Sequence, residues 1–183
     1  MGPVEVVFFT IAGMITLIAL ARGYKQELGA TVVILIAILL LSFFEDEILG
    51  VFANVGEALF GPQYTTSTTR DLFLMFTFQI IFVIIVFMGY AGVTLAFPGT
   101  EALPPLGTFI TLLVGLLNGY LIAGTLWYYL DKFGYPVQQI GLVCLPLTPL
   151  AQQLVTILPQ VIFASPTYWI VPLATLLILR VRG

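Results

Sequence analysis

Between Leu72 and Phe97 the chain runs for twenty-six residues without one charged side chain. A helix of that length, at ~1.5 Å per residue, exceeds the ~30 Å hydrocarbon core of a bilayer. It is long enough to cross with tilt. Similar apolar runs extend from about Val4 to Ala21, Leu28 to Leu41 or Phe44, and Leu106 to Leu130. Only 8% of the residues are charged and 60% are apolar, against roughly 25% charged in soluble domains. A soluble domain and a disordered chain are both excluded. The expected fold is all-α: a polytopic helical integral membrane protein with about five spans and one or two interfacial amphipathic helices.

The few charges exclude further classes. Net charge is -3, and no basic run occurs, so the clustered positive charge that nucleic acid requires is missing. There is no histidine, which removes His-ligated metal or haem and the commonest general base. Cys144 is the single cysteine and can form no internal disulfide or cluster site. Ser, Thr and Tyr occur, but no nucleophile–base pairing is legible. The expectation is no enzyme, no metal and no cofactor, with lipid as the constant contact.

The punctuation marks the elements. Ala19-Leu20-Ala21 has the look of a signal-peptidase site. The segment before it carries Glu5 and no base, so it reads as a retained helix. Arg22-Gly23-Tyr24-Lys25-Gln26-Glu27 forms a polar joint. Ser42-Phe43-Phe44-Glu45 has capping-box spacing, which places a helix break near Ser42. An interfacial helix of about 43–60 follows, with Glu45, Asp46 and Glu47 in its dipole-favoured first turn. Its apolar stripe is Ile48, Val51, Phe52, Val55 and Leu59. Gly61-Pro62 ends it, and 63–69 is a polar loop.

The fourth run ends in the interfacial cluster Trp127-Tyr128-Tyr129. Pro136, Pro146, Pro149 and Pro159 then interrupt the chain, so 131–165 reads as interfacial or re-entrant. Thr148-Pro149 starts a helix there, as an N-cap followed by Pro at the first helical position. Ser165-Pro166 starts a final helix that Pro172 kinks. The organisation is a four-span unit, 1–130, and a proline-rich segment with a last membrane helix, 131–183. With five crossings and the N-terminus outside, Arg22, Lys25, Arg180 and Arg182 are cytoplasmic, while Arg70 and Lys132 are outside beside acids. A four-span arrangement reverses that bias.

Glu5, then Arg22-Gly23-Tyr24-x-x-Glu27 before an apolar helix, and Gly115-Leu116-Leu117-Asn118-Gly119 further on, together resemble the colicin V production protein (CvpA-like) family over roughly 3–130. Glu5 stands where that family more often has Asp, and the proline-rich tail lies outside its pattern. The resemblance implies a multi-span protein of the bacterial cytoplasmic (inner) membrane, linked to peptide-toxin secretion and envelope homeostasis. It implies no catalytic residues.

Each candidate site has a plain reading beside its sharper one. Gly115, Gly119 and Ala123 form a small-residue stripe that lets helix backbones approach, within this chain or against another subunit, with Gly89 and Gly92 as a facing surface. Asn118 sits near the middle of its span and needs a partner in hydrocarbon; Gln79 is the expected one, as a packing bond or as a narrow polar path. Arg22, Gly23, Lys25 and Glu27 set topology at a turn, or dock a cytoplasmic partner. Glu45, Asp46 and Glu47 are a solvated helix start, or carboxylates for a divalent cation.

Three functions follow from this set. The first is a non-catalytic scaffold acting through helix contacts with other membrane subunits or itself. The second is an accessory subunit of a respiratory or photosynthetic complex. The third is a small channel or transporter, for which Gln79, Asn118, Gln152 and Gln153 make a thin lining.

Overall fold

The computed structural model describes residues 3–91, 96–99, 103–141, 143 and 145–182. Gly92, Glu101 and Cys144 lie outside the described residues. The chain is all-helical, in the order α1 (Val4–Arg22), α2 (Tyr24–Phe43), α3 (Glu45–Phe60), α4 (Ser67–Ala91), α5 (Leu106–Lys132), α6 (Pro149–Val155), α7 (Pro159–Ile162) and α8 (Thr167–Arg182). Short 3-10 turns occupy Gly61–Thr65 and Pro136–Ile140. Among the described residues four helices, α1, α2, α4 and α5, are long and apolar enough to cross a membrane.

Helix α8 departs from the expected fifth span. Its 16 residues cover about 24 Å, short of a ~30 Å core. The chain before it is broken by Pro159 and Pro166, and Pro172 lies inside it. A proline ring clashes with the carbonyl four residues back and lacks the N–H of a regular turn.

The break near Ser42 also moves. Helix α2 continues through Phe43, because the Phe44 N–H still bonds the Leu40 carbonyl at 2.9 Å. Phe44 is the N-cap of α3 and no side chain caps that helix, so the capping box does not form. The stripe on α3 divides. Phe52 meets Phe73 of α4, and Gly56 lies under the Tyr64 ring, while Val51, Val55 and Leu59 are exposed. Four-residue spacing puts Ile48, Phe52 and Gly56 on one row, and a second row of the same pitch faces outward.

Between α1 and α2 the joint is a single residue. Gly23 has φ 83°, a region only glycine enters without steric cost, and its N–H still bonds Ala19 O at 2.9 Å. Helix α2 therefore starts at Tyr24, and Glu27 lies inside it, one turn from the end.

Helix α2 is the centre of the bundle. Its Ile34, Leu35, Ile38 and Leu41 are buried with Phe78 and Phe82 of α4, Leu121, Ile122 and Tyr129 of α5, and Trp169 of α8. Phe78 and Tyr129 stack with ring centres 4.8 Å apart. A second cluster joins Val4 and Phe8 of α1 to Trp127, Val137, Ala151 and Leu158. The outward faces of α1, α4 and α5 are apolar: Val7, Phe9, Leu17, Ile80, Phe87, Phe109 and Leu116 are all exposed.

Candidate functional site

The most organised polar site in the bundle centres on Glu27. It is fully buried, although the residues that follow it form an apolar helix. Arg22 Nη1 donates to Glu27 Oε1 at 2.8 Å. Tyr90 OH donates to Oε2 at 3.1 Å, and Asn118 Nδ2 donates to the same oxygen at 2.9 Å. Asn118 Nδ2 also lies 3.0 Å from the Glu27 carbonyl oxygen. The Thr31 hydroxyl sits 2.7 Å from Asn118 Oδ1 and 2.9 Å from the Glu27 carbonyl oxygen. The Arg22 guanidinium lies over the Tyr90 ring, 4.6 Å from its centre.

Each part has a local cause. Gly23 reverses the chain, so Arg22 at the end of α1 faces back across the joint to Glu27. Thr31 is four residues after Glu27 and shares its helix face. The first turn of α2 favours an acid through the helix dipole. A buried ion pair repays its desolvation only when the remaining lone pairs are also bonded, and here both carboxylate oxygens have donors. The arrangement binds α1, α2, α4 and α5 at one point.

Asn118 is thus paired with Glu27 and Thr31, not with Gln79 as expected. Gln79 Nε2 donates instead to the Leu126 carbonyl of α5 at 3.0 Å. Gln79 lies deep within α4, whereas Tyr90 is one residue from the described end of that helix, and Tyr90 is the residue that reaches Glu27.

The small-residue stripe faces α1. A Cβ on Gly115 would stand 2.6 Å from Ala19 Cβ, and one on Gly119 would stand 2.6 Å from the Ala12 carbonyl oxygen. Ala123 continues the stripe into the cluster of Val4 and Phe8. Gly89 does not supply the facing surface. It packs on Val33 of α2, where an added Cβ would lie 2.8 Å from Val33 Cβ. Lys25 Nζ donates to the Gly99 carbonyl, and Lys132 pairs with Glu45. Asp46 and Glu47 are exposed, and no group of three metal-ligating side chains forms among the described residues. Gln152 donates to Leu147 O at 3.1 Å, and Gln153 is exposed.

A second polar link joins α1 to the proline-rich segment. The Thr148 hydroxyl donates to Glu5 Oε1 at 2.6 Å and accepts from the Ala151 N–H at 3.1 Å, capping α6. Glu5 is buried, and its Oε2 has no partner among the described residues. Deeper in, Pro159 fills the notch left by Gly124, and Gln160 Nε2 donates to Thr125 Oγ1 at 2.8 Å. Tyr90, Thr31 and the Glu5–Thr148 bond were not singled out from sequence. The available signals were the four-residue step from Glu27 to Thr31 and the phenol inside an otherwise apolar run.

No protein-family model matches the chain, and neither a curated protein nor a solved structure matches it.

Proposed function

We propose that the protein is a non-catalytic integral scaffold of the bacterial cytoplasmic membrane, acting through helix contacts with lipid and with other membrane subunits or a second copy. The resemblance to the colicin V production family points the same way. The observation that carries the reading is the closure of the Glu27 network. Its carboxylate takes all its donors from Arg22, Tyr90 and Asn118 of this chain, while the outward faces of the long helices are apolar. A permeation path requires polar groups along a lumen, and here Asn118 bonds Glu27 and Thr31 while Gln79 donates to the Leu126 carbonyl, so both amides are engaged within the bundle.

In this reading the chain crosses the membrane five times, the last time in broken form. Lys132 pairs with Glu45 at one end of the bundle, and the Glu5–Thr148 bond holds the start of α6 at that same end. The Gln160–Thr125 bond lies seven residues into α5, about 10 Å deeper. From there α8 covers about 24 Å, which accounts for the rest of the core and brings Arg180 and Arg182 to the level of Arg22 and Lys25.

The test is reconstitution into liposomes, with benzoylphenylalanine crosslinking from exposed Leu116 in native membranes. The expected results are ion and solute release no faster than from empty vesicles, and a discrete crosslinked adduct. Release above that background, abolished by Asn118→Leu, would overturn the scaffold in favour of a channel.

A further inference from the structure

A crevice of about 360 Å³ lies between α2, α5, α7 and α8. Leu35, Leu121 and Trp169 form its buried floor, and Leu117, Phe163 and Pro172 form an exposed rim. Its walls present carbon. The hydroxyls that border it turn away: Thr31 to Asn118, Thr175 to the Val171 carbonyl and Tyr120 to the Ile157 carbonyl. Such a crevice disfavours water, which needs two to four polar partners, and suits a hydrocarbon chain.

Charge then selects the lipid. Trp169, Pro172 and Leu176 follow one another along one face of α8, and Arg180 continues that face one turn beyond Leu176. Arg182 is exposed half a turn further on, on the other side of the helix, and adds charge at the same level. The rise from Arg180 back to Trp169 is about 16 Å, comparable to most of one acyl chain. Basic groups at a helix end above an apolar inter-helix groove favour anionic headgroups.

We infer that the crevice is a site for one anionic phospholipid of the bilayer, with an acyl chain on Trp169 and the headgroup phosphate at Arg180. This rests on the five-crossing membrane reading above.

The chain has two tryptophans, so the full-length Trp127→Phe protein reports from Trp169 alone. It is reconstituted in phosphatidylcholine vesicles containing dibrominated phosphatidylglycerol or dibrominated phosphatidylcholine as the contact quencher. The phosphatidylglycerol should quench at about fivefold lower mole fraction, the factor that one arginine near an anionic headgroup supplies. Arg180→Gln/Arg182→Gln should abolish the preference, and Thr175→Phe, which narrows the mouth, should reduce quenching by both lipids. Equal quenching by the two lipids, or a preference that survives Arg180→Gln/Arg182→Gln, overturns the lipid site and leaves the membrane reading intact. No quenching by either lipid likewise overturns the lipid site and leaves the membrane reading intact, because Trp169 is buried and only a chain inside the crevice can touch it. Wild-type protein, extracted in mild detergent and analysed by intact-complex mass spectrometry, gives an independent measure. Retained phosphatidylglycerol, lost in the double arginine variant, supports the site, and equal retention of both lipids overturns it.

Discussion

Removing the Glu27 charge strands the Arg22 guanidinium, which is only 18% exposed and has the carboxylate as its ion-pair partner. Glu27→Gln keeps the shape of the side chain, so its effect isolates the charge. It should destabilise the fold by about 3 kcal/mol, the lower end for breaking a buried pair. Tyr90→Phe removes one hydrogen bond and should cost about 1 kcal/mol. Reversible unfolding in detergent micelles measures both. Combined with Asn118→Leu, Glu27→Gln should cost less than the sum of the two single changes, because both act on one network; strict additivity would contradict the geometry.

Outside the long helices, Tyr135 has its ionisation pushed up, chiefly by burial and further by the Asp131 carboxylate that accepts its hydrogen bond, with the Trp127 N–H opposing. The phenol is neutral in the fold and stays so beyond its ordinary value of 10.0. Its contribution is therefore complete below pH 10 and is lost as pH rises above that value. Unfolding midpoints should fall on the alkaline side, and Tyr135→Phe should flatten that fall.

These residues also mark what was readable. Arg22, Glu27 and Thr31 sit within ten residues, and helical spacing relates the last two. The donors Tyr90 and Asn118 come from 63 and 91 residues away. No local period encodes which distant side chain meets a carboxylate or an amide, so sequence pattern alone does not choose between Gln79 and Tyr90.

Among the elements, α1 and α5 pack through glycine, and their closeness is testable by adding one methyl group. Gly119→Ala would put a Cβ against the Ala12 backbone, which cannot swing aside, and should cost about 1–3 kcal/mol as overpacking. Gly13, on the same helix as Ala12, has nothing within 4 Å of an added Cβ. Gly13→Ala should stabilise by about 0.5–1 kcal/mol through helix propensity alone. Thermal unfolding of the two variants should therefore move in opposite directions; a shift of the same sign would mean that the two helices do not meet at Ala12. Long helices were legible because length and apolarity are additive along the chain. Helix ends were less so. The Thr148-Pro149 start forms with its side-chain cap in place, whereas Ser42 lost its capping role because α2 had packing enough to continue to Phe43.

At the scale of the whole molecule, the charges sort by end. In the five-crossing reading, Glu5, Glu45, Asp46, Glu47, Glu57, Asp71 and Asp131 gather with Arg70 and Lys132 at the α3 end, while Arg22, Lys25, Arg180 and Arg182 belong to the other with Glu27. Positive residues close to spans remain on the cytoplasmic side, so the acidic α3 end should face outward. The arginines at the end of α8 decide the matter, since a last helix that only dipped in and returned would bring them out beside Asp46. In a Cys144→Ser background, Asp46→Cys should react with a membrane-impermeant maleimide in intact spheroplasts, and Arg182→Cys only after permeabilisation. Reaction of both before permeabilisation would mean that α6, α7 and α8 do not complete a crossing. The short, proline-broken α8 would then be an inserted wedge, and the groove it forms with α2 and α5 would open toward the acidic end.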